Sequence, residues 1–268
     1  MTSGPSSTQP AIPLPEGFRL VAFESVGSTN DEAKNLARDG AEEGTVVWAL
    51  HQEAGRGRRG RTWVSRKGNL YCSIILRPDR VESAPQVSFI AALAVGSAIR
   101  EMLANAGEDE KRCRYKWPND ILIDGRKVSG ILLESEPSAG GKLEWLVLGV
   151  GVNVRHFPDD TEYPATALVA EGLSDVQPEA MLEGVVRHLQ RWLAIWRSEG
   201  FTAIRAGWLD GAHGLGGPIT VRLTDRTLAG VFRDLDADGA LQLDQDTGGA
   251  LRITAGDVFF SLPASGEG

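Results

Sequence analysis

Residues 45–76 read TVVWALHQEAGRGRRGRTWVSRKGNLYCSIIL. Thr45 to Leu50 and Leu70 to Leu76 are apolar, β-rich runs, so the segment between them is a loop that joins two strands of a folded scaffold. From Arg56 through Lys67 six of twelve residues are basic and none is acidic, in a chain whose formal charge is -8. Glycine lets amide N–H groups approach a ligand closely, and arginine presents a planar fork of donors matched to carboxylate and phosphate. A solvated basic surface loop is the plain alternative. Against it, Gly55, Gly57 and Gly60 add conformational entropy that a bound anion would offset. No Gly-Lys-Ser/Thr ends the loop, so it is not the Walker phosphate motif.

Outward from this loop the elements alternate in type. Phe18 to Phe23 reads as a first strand, and Val26-Gly27-Ser28-Thr29-Asn30 then opens a helix, with Thr29 and Glu32 spaced as a capping box. Val87 to Leu103 is a buried helix by its apolar spacing. Ile121 to Ile123, Asp124-Gly125 and Lys127 to Glu134 form a hairpin with a type I′ turn. Trp145 to Val154 is a buried strand in which Gly149 and Gly151 mark close approach to the backbone. Leu182, Val185, Val186, Leu189, Trp192, Leu193 and Trp196 fall on one face of a helix, and a shorter helix covers Phe201 to Leu209. Gly211 to Pro218 has the composition of a linker. Short strands then follow from Ile219 to Leu262, as in a small SH3-like β-barrel. The class is α+β. Three regions are expected: a disordered tail over 1–17, a main α+β domain over 18–213 and a small β domain over 214–268.

The chain has 268 residues, 42% of them apolar, enough for a packed core. Met1 to Gly17 lacks the basic and apolar regions of a signal peptide, and no run of about 18 apolar residues spans a membrane. A cytoplasmic protein without membrane partners is expected. The sequence pI near 5.1 argues against nucleic acid as a bulk partner. Cys72 and Cys113 lack metal spacing and read as reduced, structural thiols.

Lys127 starts an apolar strand, and simple alternation puts it on one face with Ser129, Ile131 and Leu133. Such a lysine commonly snorkels to solvent; Gly130 nearby leaves room for a ligand instead. Asp120, with Asn119 and Glu134, could supply oxygens to Mg²⁺, although each is also an ordinary turn or surface residue. The histidines lack zinc spacing, and no nucleophile motif occurs. Abundant cations without a protein nucleophile suit a reaction in which the substrate attacks and the protein positions it.

Gly27-Ser28-Thr29-Asn30, Gln52 followed by Gly55 to Trp63, Lys116-Trp117-Pro118-Asn119-Asp120, Lys127 to Glu134 and Gly149-Val150-Gly151-Val152-Asn153 together resemble the biotin protein ligases, in that family's order along residues 18–262. The resemblance implies a class II synthetase-like mixed sheet with flanking helices. It also implies that biotin attacks the α-phosphate of MgATP to give biotinyl-5′-adenylate, after which a lysine of a carboxylase's biotin carboxyl carrier domain takes the biotin. By this resemblance Ser28, Thr29 and Gln52 would bind the ureido ring, with Asn30, Gly55 and Gly130 in the same biotin site. Arg56 would meet the carboxylate through the loop backbone. Arg58 and Arg61 would grip phosphates, Lys127 would bridge carboxyl and α-phosphate, Trp63 would pack near adenine, and Asn153 would lie near the nucleotide. Asp120 would organise the metal or the acceptor lysine. The loop would be disordered until it closes over ligand. Some relatives carry a DNA-binding domain ahead of the catalytic region; here that region starts within about 20 residues of Met1, and a short form without operator binding is expected. A lipoate-type ligase and a noncatalytic adaptor stand as alternatives, and both monomer and homodimer are open.

Overall fold

The computed structural model describes residues 12–78, 83–137, 143–245 and 248–260. Seven strands, β1 (Arg19–Val26), β2 (Thr45–Gln52), β3 (Leu70–Leu76), β4 (Cys113–Lys116), β5 (Asp120–Ile123), β6 (Arg126–Pro137) and β7 (Leu143–Val152), form one sheet in the order β1-β2-β3-β7-β6-β5-β4. Only β1 and β2 run parallel, joined by α1 (Thr29–Arg38); every other neighbouring pair is antiparallel. The continuous apolar runs follow from burial on both faces. Val46, Trp48, Leu146, Leu148 and Val150 pack with α2 (Ala84–Asn105) and α3 (Pro178–Glu199). Val47, Ala49, Trp145 and Val147 pack with Ala33 and Ala37 of α1 on the opposite face.

α2 is itself long and apolar enough to cross a membrane, contrary to the plain reading of the sequence, and it serves as the central core helix, with Ile90, Ala94, Val95, Ile99 and Leu103 fully buried. At the N-terminus, residues 1–11 of the expected tail lie outside the described residues. Ile12 and Leu14 pack against the core, and Glu16 accepts a hydrogen bond from Gln190.

After α4 (Phe201–Asp210) the chain enters a five-stranded antiparallel sheet of β8 (Pro218–Arg222), β9 (Thr227–Leu235), β10 (Leu241–Asp244), β11 (Ala250–Ile253) and β12 (Asp257–Phe260), in the order β11-β10-β9-β8-β12. No β11–β12 ladder closes it among the described residues. Asp246, Thr247 and the expected strand end at Ser261 and Leu262 lie outside those residues. The linker-like segment is stitched to β4 rather than loose: Tyr115 N–H donates to Gly211 (2.9 Å) and His213 N–H donates to Tyr115 (2.8 Å). Ile219, Val221, Phe232 and Leu235 join the same apolar cluster as α2, so the small sheet shares the core of the large one.

The candidate active site

Glycine leaves part of the sheet surface bare. On β7, a Cβ added at Gly149 would lie 2.3 Å from Asn30 Oδ1, and one at Gly151 would lie 2.7 Å from the Trp63 ring. At Gly130 of β6, an added Cβ would meet Trp63 at 3.0 Å and Lys127 Nζ at 3.3 Å. The N-terminus of α1, the basic loop and the Lys127 strand therefore converge on one patch, and a cavity of about 420 Å³ opens there. That volume falls in the range of small-ligand sites. Every predicted site residue lines it except Gly55 and the Mg²⁺ candidate Glu134. Gly55 lies just behind the wall, where a Cβ would sit 2.5 Å from both Ser65 Oγ and Trp63 O.

The first group is neutral and hydrogen-bonding. Gln52 Oε1 accepts from Thr29 N–H (2.8 Å) and from its hydroxyl (3.0 Å), while Gln52 Nε2 donates to Ser65 Oγ (3.0 Å), which donates to Trp63 O (3.0 Å). Ser73 donates to Asn30 Oδ1 at 2.6 Å and lies 2.8 Å from Thr29 Oγ1. The expected capping box does not form. Ser28 is the cap residue, with no side-chain cap bond, and Thr29 turns its hydroxyl to Gln52 instead. A small polar helix terminus thus presents Ser28, Thr29 and Asn30 to the cavity.

The second group is cationic. Lys127 Nζ lies 2.6 Å from Asp120 Oδ1, and Lys116 Nζ lies 3.3 Å from Asp120 Oδ2 and 3.7 Å from the centroid of the Tyr163 ring. Burial alone would raise the Asp120 pKa, but Lys127 and Lys116 outweigh it and hold the carboxyl below its usual range. Burial lowers the pKa of Lys116 and of Arg58. Alternation misplaced Lys127. A β-bulge makes Ile121 oppose Ser129 and Leu122 oppose Lys127, leaving Val128 as the extra residue. Lys127 consequently shares a face with Gly130 and Asp120, and not with Ser129 and Ile131.

Arg56, Arg58, Arg59 and Arg61 of the basic loop all have partners. Arg56 grips Asp31 with two bonds (2.6 and 2.7 Å), Arg58 donates to Asn119 Oδ1 (3.0 Å), and Arg59 and Arg61 both reach Asp257 of β12 (3.2 and 2.5 Å). The Asp31 carboxyl is held at about 2 by the hydrogen bond from Arg56, against burial and with help from Lys34. The loop backbone closes on itself through Gly57 N–H to Arg61 O (2.7 Å) and Trp63 N–H to Gly55 O (2.9 Å). Arg59 takes a left-handed conformation at φ 53°. Asn153 donates to Thr166 O at 3.0 Å.

A resident Mg²⁺ does not fit the proposed oxygens. Both Asp120 oxygens face ammonium groups, Asn119 is spent on Arg58 and Ile131, and Glu134 is bound by Asn30 and Lys34. Among the described residues no three His, Cys, Asp or Glu side chains gather to hold a metal. Asp257, Phe259, Glu162 and Tyr163 also line the cavity, from the small sheet and from the segment after β7; their approach is long-range and leaves no local pattern in the sequence. Lys116 stands out in the sequence only as part of Lys116-Trp117-Pro118-Asn119-Asp120, with nothing local to mark it as a cavity residue.

Residues 22–153 match the biotin/lipoate A/B protein ligase family, and residues 214–261 match the biotin protein ligase C-terminal domain. The chain is 39% identical over 239 residues to a biotin–[acetyl-CoA-carboxylase] ligase of Paracoccus denitrificans, covering 87% of this chain and 97% of that one. Its fold is similar to the biotin protein ligase of Aquifex aeolicus in complex with biotin and ATP (TM-score 0.75, 26% identity, 90% and 97% of the two chains). It is also similar to the Leishmania major biotin protein ligase in complex with biotinyl-5-AMP (TM-score 0.63, 25% identity, 90% and 100%). These matches run through the very segments that build the cavity, and the chain belongs to the biotin/lipoate A/B protein ligase family, among its biotin protein ligases.

Proposed function

We propose that the chain is an ATP-dependent biotin protein ligase that forms biotinyl-5′-adenylate and passes the biotinyl group to a lysine of a biotin carboxyl carrier domain. The observation that carries this reading is one cavity with a neutral hydrogen-bonding group, Ser28, Thr29, Asn30 and Gln52, and a cationic group, Arg58, Arg61, Lys116 and Lys127. A neutral ureido ring suits the first, and a carboxylate meeting a triphosphate suits the second. Relatives with biotin and ATP, or with biotinyl-5-AMP, support the same pair of substrates.

In the first step a biotin carboxylate oxygen attacks the α-phosphorus and pyrophosphate leaves. Lys127 is placed to neutralise charge between carboxylate and phosphate, and Asp120 holds its side chain aimed across Gly130. Arg58 and Arg61 are drawn from Asn119 and Asp257 to the phosphates. Trp63 Nε1 is buried without a hydrogen-bond partner, a costly arrangement that favours re-seating the indole when adenine arrives. Mg²⁺ enters as part of the ATP complex, held by the phosphates. In the second step the acceptor amine attacks the acyl carbon of the mixed anhydride, loses a proton, and AMP leaves. Supplied with ATP, biotin and a carrier domain, the protein should add one biotinyl group to a single acceptor lysine, read by intact mass. Addition of lipoate in place of biotin, or no addition at all, contradicts the reading.

A further inference from the structure

Among the described residues three charged side chains are buried: Lys116, Asp120 and Glu171. The first two face the cavity, whereas Glu171 lies outside it, with its side chain only 1% exposed. A buried ion pair is weak evidence for stability, because desolvation offsets its attraction; its use is more often to fix a geometry. Glu171 has such a geometry to fix. One oxygen receives Arg112 Nη2 at 2.7 Å; the other receives Arg126 Nη2 at 2.7 Å and the hydroxyl of Thr166.

Arg126 and Thr166 flank Lys127 from two directions. Arg126 precedes it in the chain. Thr166 belongs to the segment that brackets its backbone: Lys127 N–H donates to Pro164 O at 2.7 Å, and Thr166 N–H donates to Lys127 O at 2.9 Å. Arg112 also holds Asp124 at the hairpin turn (2.8 Å). Asn153 completes the frame, taking Val128 O through its backbone N–H (2.8 Å) and Thr166 O through its side-chain amide (3.0 Å). The bulge at Val128, which turns Lys127 toward Gly130, is therefore clamped on the strand side and on the bracket side by one carboxylate.

We propose that Glu171 is a positioning residue for Lys127: it locks the bulged register that aims the ammonium at the reacting atoms. The inference rests on the ligase reading of this site. A carboxylate is needed because one group must accept from two guanidinium groups and a hydroxyl at once. Glutamine keeps the shape, removes the charge and turns one acceptor into a donor facing a guanidinium or the hydroxyl.

The test is steady-state biotin-dependent pyrophosphate exchange on Glu171→Gln and Thr166→Val, with folded protein quantified by circular dichroism. The expected result is a fall in kcat of about 10- to 100-fold for Glu171→Gln, the scale of a reacting group displaced by about an ångström, and a smaller fall for Thr166→Val. The KM for biotin should stay within about two-fold, because Ser28, Thr29 and Gln52 lie on other elements. A lowered melting temperature with wild-type kcat overturns the inference, as does a change confined to the biotin KM. If Glu171→Gln does not fold, Thr166→Val decides by the same two criteria. A wild type without biotin-dependent exchange removes the ligase reading and this inference with it; an active wild type with an unchanged variant removes the inference alone.

Discussion

At the residue scale, chemistry and orientation were not equally legible. Arg58 and Lys127 could be singled out from the chain, because each sits in a short pattern whose composition has a physical use, whereas Ser28, Thr29 and Gln52 were picked out only by the resemblance to the biotin protein ligases. Their partners could not be. Asp257 is 196 residues from Arg61, and Glu134 is 104 from Asn30; local spacing carries no trace of such pairs. Lys127 failed for a different reason, since one bulge residue inverts the parity on which alternation depends. Two substitutions probe this scale. Gly151→Ala would set a methyl group 2.7 Å from the Trp63 ring, and we expect a shift in tryptophan emission with a raised KM for ATP; unchanged emission would show that the ring gives way without cost. Asp31 gives a pH signature. Its folded pKa of about 2 lies below its ordinary 3.8, so the Arg56 pair stabilises the fold above about pH 4 and loses that effect as pH falls toward 2. Asp31→Asn should cost about 1 kcal/mol or less at pH 7, given the half-exposed carboxylate. Urea midpoints of the two proteins should converge below pH 4, and a pH-independent gap would contradict the assignment.

At the element scale, the helices and strands followed from apolar period, and the Asp124-Gly125 turn followed from its residues: both have positive φ, 47° and 75°, as a type I′ turn requires. The connections were harder. Gly211 to His213 reads as a linker by composition, yet its backbone groups complete the edge of β4, where Tyr115 would otherwise leave them unpaired. The basic loop was expected to order around a ligand, but Asp31 ties it at one flank and Asp257 at the other. Asp257 touches Arg59, Arg61 and Arg222 together, the same groups a phosphate would draw. Asp257→Asn is therefore predicted to loosen the loop tip, with trypsin cleavage after Arg58, Arg59 or Arg61 faster by several-fold and ATP restoring much of the protection. Cleavage at the wild-type rate would show that Asp257 does not hold the loop.

At the scale of the whole molecule, a chain of net charge -8 concentrates Arg58, Arg61, Lys116 and Lys127 around one cavity, and the small sheet closes that cavity with Asp257 and Phe259. The small five-stranded sheet was readable from the closely spaced short strands after residue 218. The shared core was not, because Phe232 and Trp208 meet edge to face (6.5 Å) only once both parts are folded. A shared core predicts one cooperative unfolding transition, with tryptophan emission and far-ultraviolet circular dichroism coinciding; two separated transitions would argue for independent parts. The central claim is that Lys127, aimed across Gly130, supports attack of the biotin carboxylate on ATP. Biotin-dependent exchange of labelled pyrophosphate into ATP measures that step without the acceptor. The wild type should exchange, and Lys127→Ala, with its circular dichroism spectrum and biotin affinity retained, should fall to background; exchange by Lys127→Ala near the wild-type rate would contradict the account.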